Sequence, residues 1–141
     1  MRKIWRKAPT SWPVSWRAPR PSTASIRGGS SRLATPNGAN IAASLLLSHP
    51  RVLAGAVLFH AMVPLEPSAP PDLAGTPVFI AGGSADPMIP LAGTERLAAL
   101  LRAGGAAVTL HWERDGHALI PAEVRAAQEW LNASGLLVPP A

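Results

Sequence analysis

The 141 residues contain no cysteine, which excludes disulfides and thiolate-metal sites and fits a reducing compartment. No apolar run approaches the roughly twenty residues that a membrane span needs. The N-terminus, Met1 to Pro21, is basic but lacks an apolar stretch long enough for a signal-peptide core. The chain therefore reads as soluble and cytoplasmic, with no membrane partner. There is also no internal repeat. Acidic residues are missing from one region alone: residues 1–32 hold eight Lys/Arg and no Asp or Glu. Residues 33–141 hold five basic and eight acidic residues, a net of −3 within a total of +5. The positive charge thus belongs to a segment and not to the domain.

What is present divides in two. Residues 1–36 are rich in Arg, Pro, Ser and Trp, and Pro9, Pro13, Pro19 and Pro21 break any long helix. Such a segment buries too little to offset its chain entropy, so a disordered basic leader is expected. From Asn37 the chain is apolar and periodic, and hydrophobic residues make up 48% of the whole, enough for one packed domain. The expected division is a leader over 1–36, a domain over 37–134 and a tail over 135–141.

Within the domain, Asn37–Ser48 reads as a helix rich in Ala and Leu. Leu53–Phe59 (LAGAVLF) and Pro77–Ala81 (PVFIA) are continuous apolar runs, as expected for strands covered on both faces. A Pro-rich loop, Ala61 to Thr76, separates them. Leu91–Ala103 is an amphipathic helix with Leu97, Leu100 and Leu101 on one side, stopped by Gly104-Gly105. Ala107–Trp112 alternates, with Val108, Leu110 and Trp112 opposite Thr109, His111 and Glu113. Pro121–Asn132 is a last helix, with proline suited to its first turn. This alternation predicts an α/β fold with a three-stranded, largely parallel sheet and flanking helices.

Two residues stand where such folds place their sites, in loops after parallel strands. Asp86 lies in Gly82-Gly83-Ser84-Ala85-Asp86-Pro87-Met88-Ile89-Pro90, a loop stiffened by two prolines. It reads equally as a turn residue before a proline. His117 lies in Asp115-Gly116-His117-Ala118-Leu119, where Gly116 permits a sharp turn, and alone it reads as a solvated loop residue. Their order is the informative part: an acid after a strand, then a helix, a strand, and a histidine before the final helix. His111 reads as helix-packed or exposed. His49 ends a helix, where a cation suits the dipole. His60 ends the first apolar run and could border the pocket, but nothing pairs with it in sequence. No His/Asp/Glu spacing has the form of a metal site.

Taken in order, Asn37-Gly38-Ala39-Asn40-Ile41-Ala42, Leu53-Ala54-Gly55-Ala56-Val57-Leu58, Gly83-x-x-Asp86-Pro87-x-x-Pro90 and Gly116-His117 resemble bacterial carboxylesterases. These are the phospholipase/carboxylesterase group, similar to acyl-protein thioesterases, and the likeness runs from about Asn37 to Asn132. The resemblance implies the C-terminal part of an α/β-hydrolase and ester hydrolysis through an acyl-enzyme. It also implies no cofactor, a small-molecule ester as substrate, Asp86 as triad acid and His117 as triad base.

One position departs from the pattern. The nucleophile of such enzymes sits in Gly-x-Ser-x-Gly between a strand and a helix. The matching residues are Ala34-Thr35-Pro36-Asn37-Gly38, so Pro36 occupies the serine position and Ala34 that of the first glycine. Proline has no nucleophilic atom and fixes φ near −65°. Ile26 to Leu33 is basic and polar, so no strand is expected before this turn. Ser30, Ser31 and Ser84 lack the flanking geometry of a nucleophile. The backbone N–H of Asn37 is the remaining half of an oxyanion hole, whose other donor comes from an earlier loop in the family. The expectation is a chain that does not turn over esters.

A Gly-Tyr-Ser coded GGC-TAC-TCC, read one base late, begins Ala-Thr-Pro, which is Ala34-Thr35-Pro36. Residues 1–36 are therefore expected to be an out-of-frame reading, and the nucleotide sequence upstream of Asn37 tests this. A different class of function is an interaction or nucleic-acid-binding role for the basic leader, because Arg-rich segments with aromatics bind nucleic acid. Loose attraction of a basic tail to polyanions explains the same composition, and a specific nucleic-acid partner is not expected.

Overall fold

The computed structural model describes residues 30–34 and 36–136, with side chains from Gly38 onward. The expected low order of the leader, the frame of its reading and any nucleic-acid role for it lie outside the described residues for positions 1–29. Most of the tail lies outside them too.

The three expected strands and three expected helices are all present. The strands β2 (Leu53–Phe59), β3 (Pro77–Gly83) and β4 (Ala107–Glu113) pair in parallel, with Leu58 beside Ile80 and Ile80 beside Leu110. A fourth strand, β1 (Ser30–Ala34), precedes them and pairs in parallel with β2, giving the order β1-β2-β3-β4. This corrects the expectation that no strand leads into the turn before Asn37. Polarity in Ser30-Ser31-Arg32 argued against a strand, but a strand at the edge of a sheet gains its backbone hydrogen bonds from one neighbour and tolerates polar side chains. Among the described residues β1 pairs only with β2.

Helix α1 (Pro36–Ser48) starts one residue earlier than expected, because proline's missing N–H and fixed φ suit the first helical position. Helices α2 (Leu91–Ala103) and α3 (Pro121–Ser134) follow β3 and β4. Gly105, at φ 90°, then takes a left-handed conformation that favours glycine and turns the chain into β4.

The sheet is covered on both faces, and this explains the continuous apolar strands. Ala56, Leu58, Val78 and Ile80 point to one side, where they pack with Ala39, Ala42, Ala43 and Leu46 of α1 and Leu97, Ala98 and Leu101 of α2. Val57, Phe59, Phe79 and Ala81 point to the other side, against Ala127 and the half-buried Trp130 and Leu131 of α3. His111 lies on this second side, its ring centroid 6.0 Å from that of Phe79. Each buried side chain of this size contributes about 1.5–3 kcal/mol relative to exposure. No helix among the described residues is long and apolar enough to cross a membrane.

Candidate active site

All four strands run the same way, so their carboxyl ends share one edge of the sheet. The loops leaving that edge carry His60 after β2, Asp86 after β3 and His117 after β4. The turn from β1 into α1 lies on the same edge, with Pro36 and Asn37 as the first two residues of the helix.

A glycine brings two of these loops together. At Gly83 an added Cβ would collide with the carbonyl oxygens of Asp115 and Gly116. The bare backbone allows the acid loop to lie directly on the histidine loop. Hydrogen bonds then fasten them: Ser84 N–H donates to Glu113 O at 2.8 Å and Ala85 N–H to Asp115 O at 3.1 Å. The N–H of Asp86 returns to Gly83 O at 3.2 Å and closes the turn.

The carboxylate of Asp86, with its side chain 1% exposed, is bonded on both oxygens. Its Oδ1 accepts from the backbone N–H of Met88 at 2.8 Å and of Ile89 at 3.0 Å. Its Oδ2 lies 2.8 Å from Nδ1 of His117 and 3.2 Å from Nδ1 of His60. Burial pushes the carboxyl upward, but the N–H of Ile89, the ring of His117 and the N–H of Met88 outweigh it. The group is held below the usual carboxylate range. The His117 ring is only partly covered, at 25% exposure, so one side of it faces solvent while the acid behind it is closed off.

The structure thus brings Asp86 and His117 together, as the order of the motifs predicts. It adds Glu123, which sequence reasoning missed, and it gives partners to His60, which the sequence set only at the border of the pocket. His60 is fully buried at the end of β2, in a left-handed backbone conformation with φ 51°, and its N–H donates to Ala81 O at 2.8 Å. Its Nε2 lies 3.2 Å from each carboxylate oxygen of Glu123, also 1% exposed. The expectation that nothing pairs with His60 held only along the sequence, since its partners lie 26 and 63 residues away. A polar residue closing an all-apolar strand was the one signal available. Glu123 carried another, as an acid in the first turn of α3. Its Oε2 reaches back to the N–H of Ile120 at 3.1 Å and caps the helix.

The donor atoms of His60, Asp86 and His117 lie within 4.8 Å of one another, a cluster of the size that holds a metal ion. Here Oδ2 of Asp86 is already at hydrogen-bond distance from both nitrogens. Tetrahedral ligands about 2.0–2.1 Å from a first-row metal lie about 3.3–3.4 Å from one another, so such an ion would open the 2.8 Å contact between His117 and Asp86. An acid–base network describes the contacts as they stand.

Comparison with known proteins identifies the family and the fold. The family described as Phospholipase/Carboxylesterase matches residues 25–134, a span that includes β1 and the turn into α1. The Bacillus subtilis hydrolase MhqD is 47% identical over 94 residues, 67% of this chain and 47% of MhqD. The solved Bacillus cereus carboxylesterase is similar at a TM-score of 0.72 and 46% identity, over 74% of this chain and 49% of that one. A Mesorhizobium loti carboxylesterase follows at a TM-score of 0.67 and 31% identity, over 72% of this chain and 48% of its own. The chain spans about half the length of these relatives.

Proposed function

Because this chain belongs to the phospholipase/carboxylesterase family, we propose that it carries the acid and base of an ester-hydrolysing triad, Asp86 and His117, beside a nucleophile position disabled by Pro36. One observation carries the reading: the 2.8 Å contact from His117 Nδ1 to Asp86 Oδ2, in the acid-then-histidine order of α/β-hydrolases. A proton donated from Nδ1 to Asp86 fixes the ring tautomer and leaves Nε2 as the free base. In a family member with serine at position 36, that nitrogen takes the hydroxyl proton as the oxygen attacks the ester carbonyl. The N–H of Asn37, at the start of α1, is one of the orphan donors of a helix N-terminus and serves in this reading as a donor to the developing oxyanion. The substrate class is a carboxylic ester with a small or medium apolar acyl group, and no cofactor takes part. Exposed Met62, Leu65, Met88 and Leu119 in the loops at this edge support an apolar acyl group.

Loss of a triad serine costs about 10⁶ in kcat in a complete hydrolase. The chain as it stands is therefore expected to give no turnover of a nitrophenyl ester and no labelling by a fluorophosphonate probe. Hydrolysis faster than that of the His117→Ala variant would overturn the reading.

A further inference from the structure

The acid–base pair does not end at Asp86. Behind it lie His60 and then Glu123, both 1% exposed, and neither has a role in ester hydrolysis as described so far. Three buried groups meet there: the Asp86 carboxylate, the imidazole of His60 and the Glu123 carboxylate.

Their contacts constrain where the protons lie. A neutral imidazole has one N–H and one bare nitrogen. Both ring nitrogens of His60 face a carboxylate oxygen at 3.2 Å. A bare nitrogen opposite an ionised carboxylate would set lone pair against lone pair between groups that are only 1% exposed. The Glu123 oxygen in line with Nε2 is Oε2, which already accepts from the Ile120 N–H, so its role is that of acceptor and Nε2 is the donor. On the other side, Oδ2 of Asp86 accepts from His117, so Nδ1 of His60 donates as well. Charge leads to the same result. Two carboxylates buried together are costly unless a cation lies between them.

We propose that His60 and Glu123 are positioning residues for the acid–base pair: they form the chain Glu123–His60–Asp86–His117, in which the His60 ring carries both of its protons. This rests on the reading of Asp86 and His117 as acid and base. In the chain, Glu123 anchors His60 from the first turn of α3, and His60 holds Oδ2 of Asp86 from behind. The two backbone N–H groups of the acid loop hold Oδ1. The carboxylate is then fixed at both oxygens, and Nδ1 of His117 meets an acceptor that cannot rotate away. The left-handed backbone at His60 supports the same role, because strained conformations persist where the surroundings over-determine them.

The test uses the full chain labelled with ¹⁵N and reads the ring nitrogens of each histidine at a pH of about 8, where an ordinary histidine is largely neutral. Exposed His49 serves as the internal control. His60 is expected to show two protonated nitrogens, and His117 a protonated Nδ1 and a bare Nε2. Glu123→Ala is expected to remove the Nε2 proton of His60 and shift the Nδ1 proton of His117. Glu123→Gln separates positioning from folding. Its amide donates to Nε2, so His60 loses that proton and keeps the one on Nδ1, and His117 returns to its wild-type signal. One bare nitrogen on His60 in the wild type would overturn the proposal. So would a His117 signal unchanged in both Glu123→Ala and His60→Phe, or loss of the Nδ1 proton of His60 in Glu123→Gln. The underlying reading fails separately, if Asp86→Asn leaves the His117 ring unchanged. Should Glu123→Ala not fold, the wild-type spectrum and Glu123→Gln still decide.

Discussion

Two regions on one edge of this sheet have fared differently. Between β3, β4 and α3 the side chains interlock: Asp86 uses both oxygens, His60 both ring nitrogens, and Gly83 admits the neighbouring loop. Where β1 leads into α1, strand and helix are both in place, and Pro36 opens the helix at the proposed nucleophile position. The contrast separates what a backbone specifies from what a side chain supplies. The turn depends on β1 pairing with β2 and on α1 packing its alanines on the sheet, and neither requires a hydroxyl. The acid–base end depends on its side chains: Asp86, His60 and Glu123 are buried, and Asp86 and His60 each use both polar atoms of their side chains.

The strongest way to break this comparison is to restore the missing atom. A serine at position 36 needs a strand leading into the turn, and β1 supplies that strand. Pro36→Ser is therefore expected to gain slow fluorophosphonate labelling that disappears in Pro36→Ser/His117→Ala. Turnover is expected to stay far below that of a complete enzyme, because the relatives are about twice as long and the family's second oxyanion donor comes from an earlier loop. Labelling of Pro36→Ser independent of His117 would show that the two regions do not form one site.

Next in size is removal of the ring between the two carboxylates. His60→Ala leaves Asp86 and Glu123 buried and facing one another. Breaking a buried ion pair in this way costs about 3–5 kcal/mol. Urea unfolding is expected to show a midpoint shift of that order with an unchanged slope. A loss below about 1 kcal/mol would mean that the site rearranges or admits water, and the contrast between the two ends would weaken.

Gly83→Ala probes the contact between loops. The new methyl group meets the carbonyls of Asp115 and Gly116, which belong to backbone and cannot swing aside. A cost of about 1–3 kcal/mol is expected from overpacking. The His117 ring signal should move with it, since the same loop carries the histidine. A stability loss with no change at His117 would show that the acid–base pair is positioned independently of this approach.

Much of this was legible in the sequence, and the reasons are local. LAGAVLF and PVFIA announce strands covered on both faces, and Leu97 and Leu101 fix the buried side of α2. Asp86 and His117 could be named because their signals are short-range: a glycine, a proline-stiffened loop, an order along the chain. The partnership of His60 with Glu123 spans 63 residues and needs α3 to cross the sheet at the right place, and no spacing rule encodes that. β1 escaped for the opposite reason. Its residues read as polar, while its pairing partner β2 sits some twenty residues further on and supplies the hydrogen bonds.

The smallest expected effect concerns acid. Asp86 is held below the usual carboxylate range in the folded chain, so the unfolded chain takes up its proton first as pH falls. The stability this gives is fully present above the unfolded value, about 3.9, and is lost as pH falls through the lower value of the folded state. Asp72 is lowered too, through its exposed pairing with Arg51, but that contribution is common to wild type and to Asp86→Asn. The difference in melting temperature between the two chains therefore isolates Asp86. It is expected to be constant between a pH of about 5 and 7 and to narrow as pH falls below about 4. A difference that stays constant into acid would mean that the Asp86 carboxylate gains nothing from Ile89, Met88 and His117. The interlocked end would then be held by packing alone.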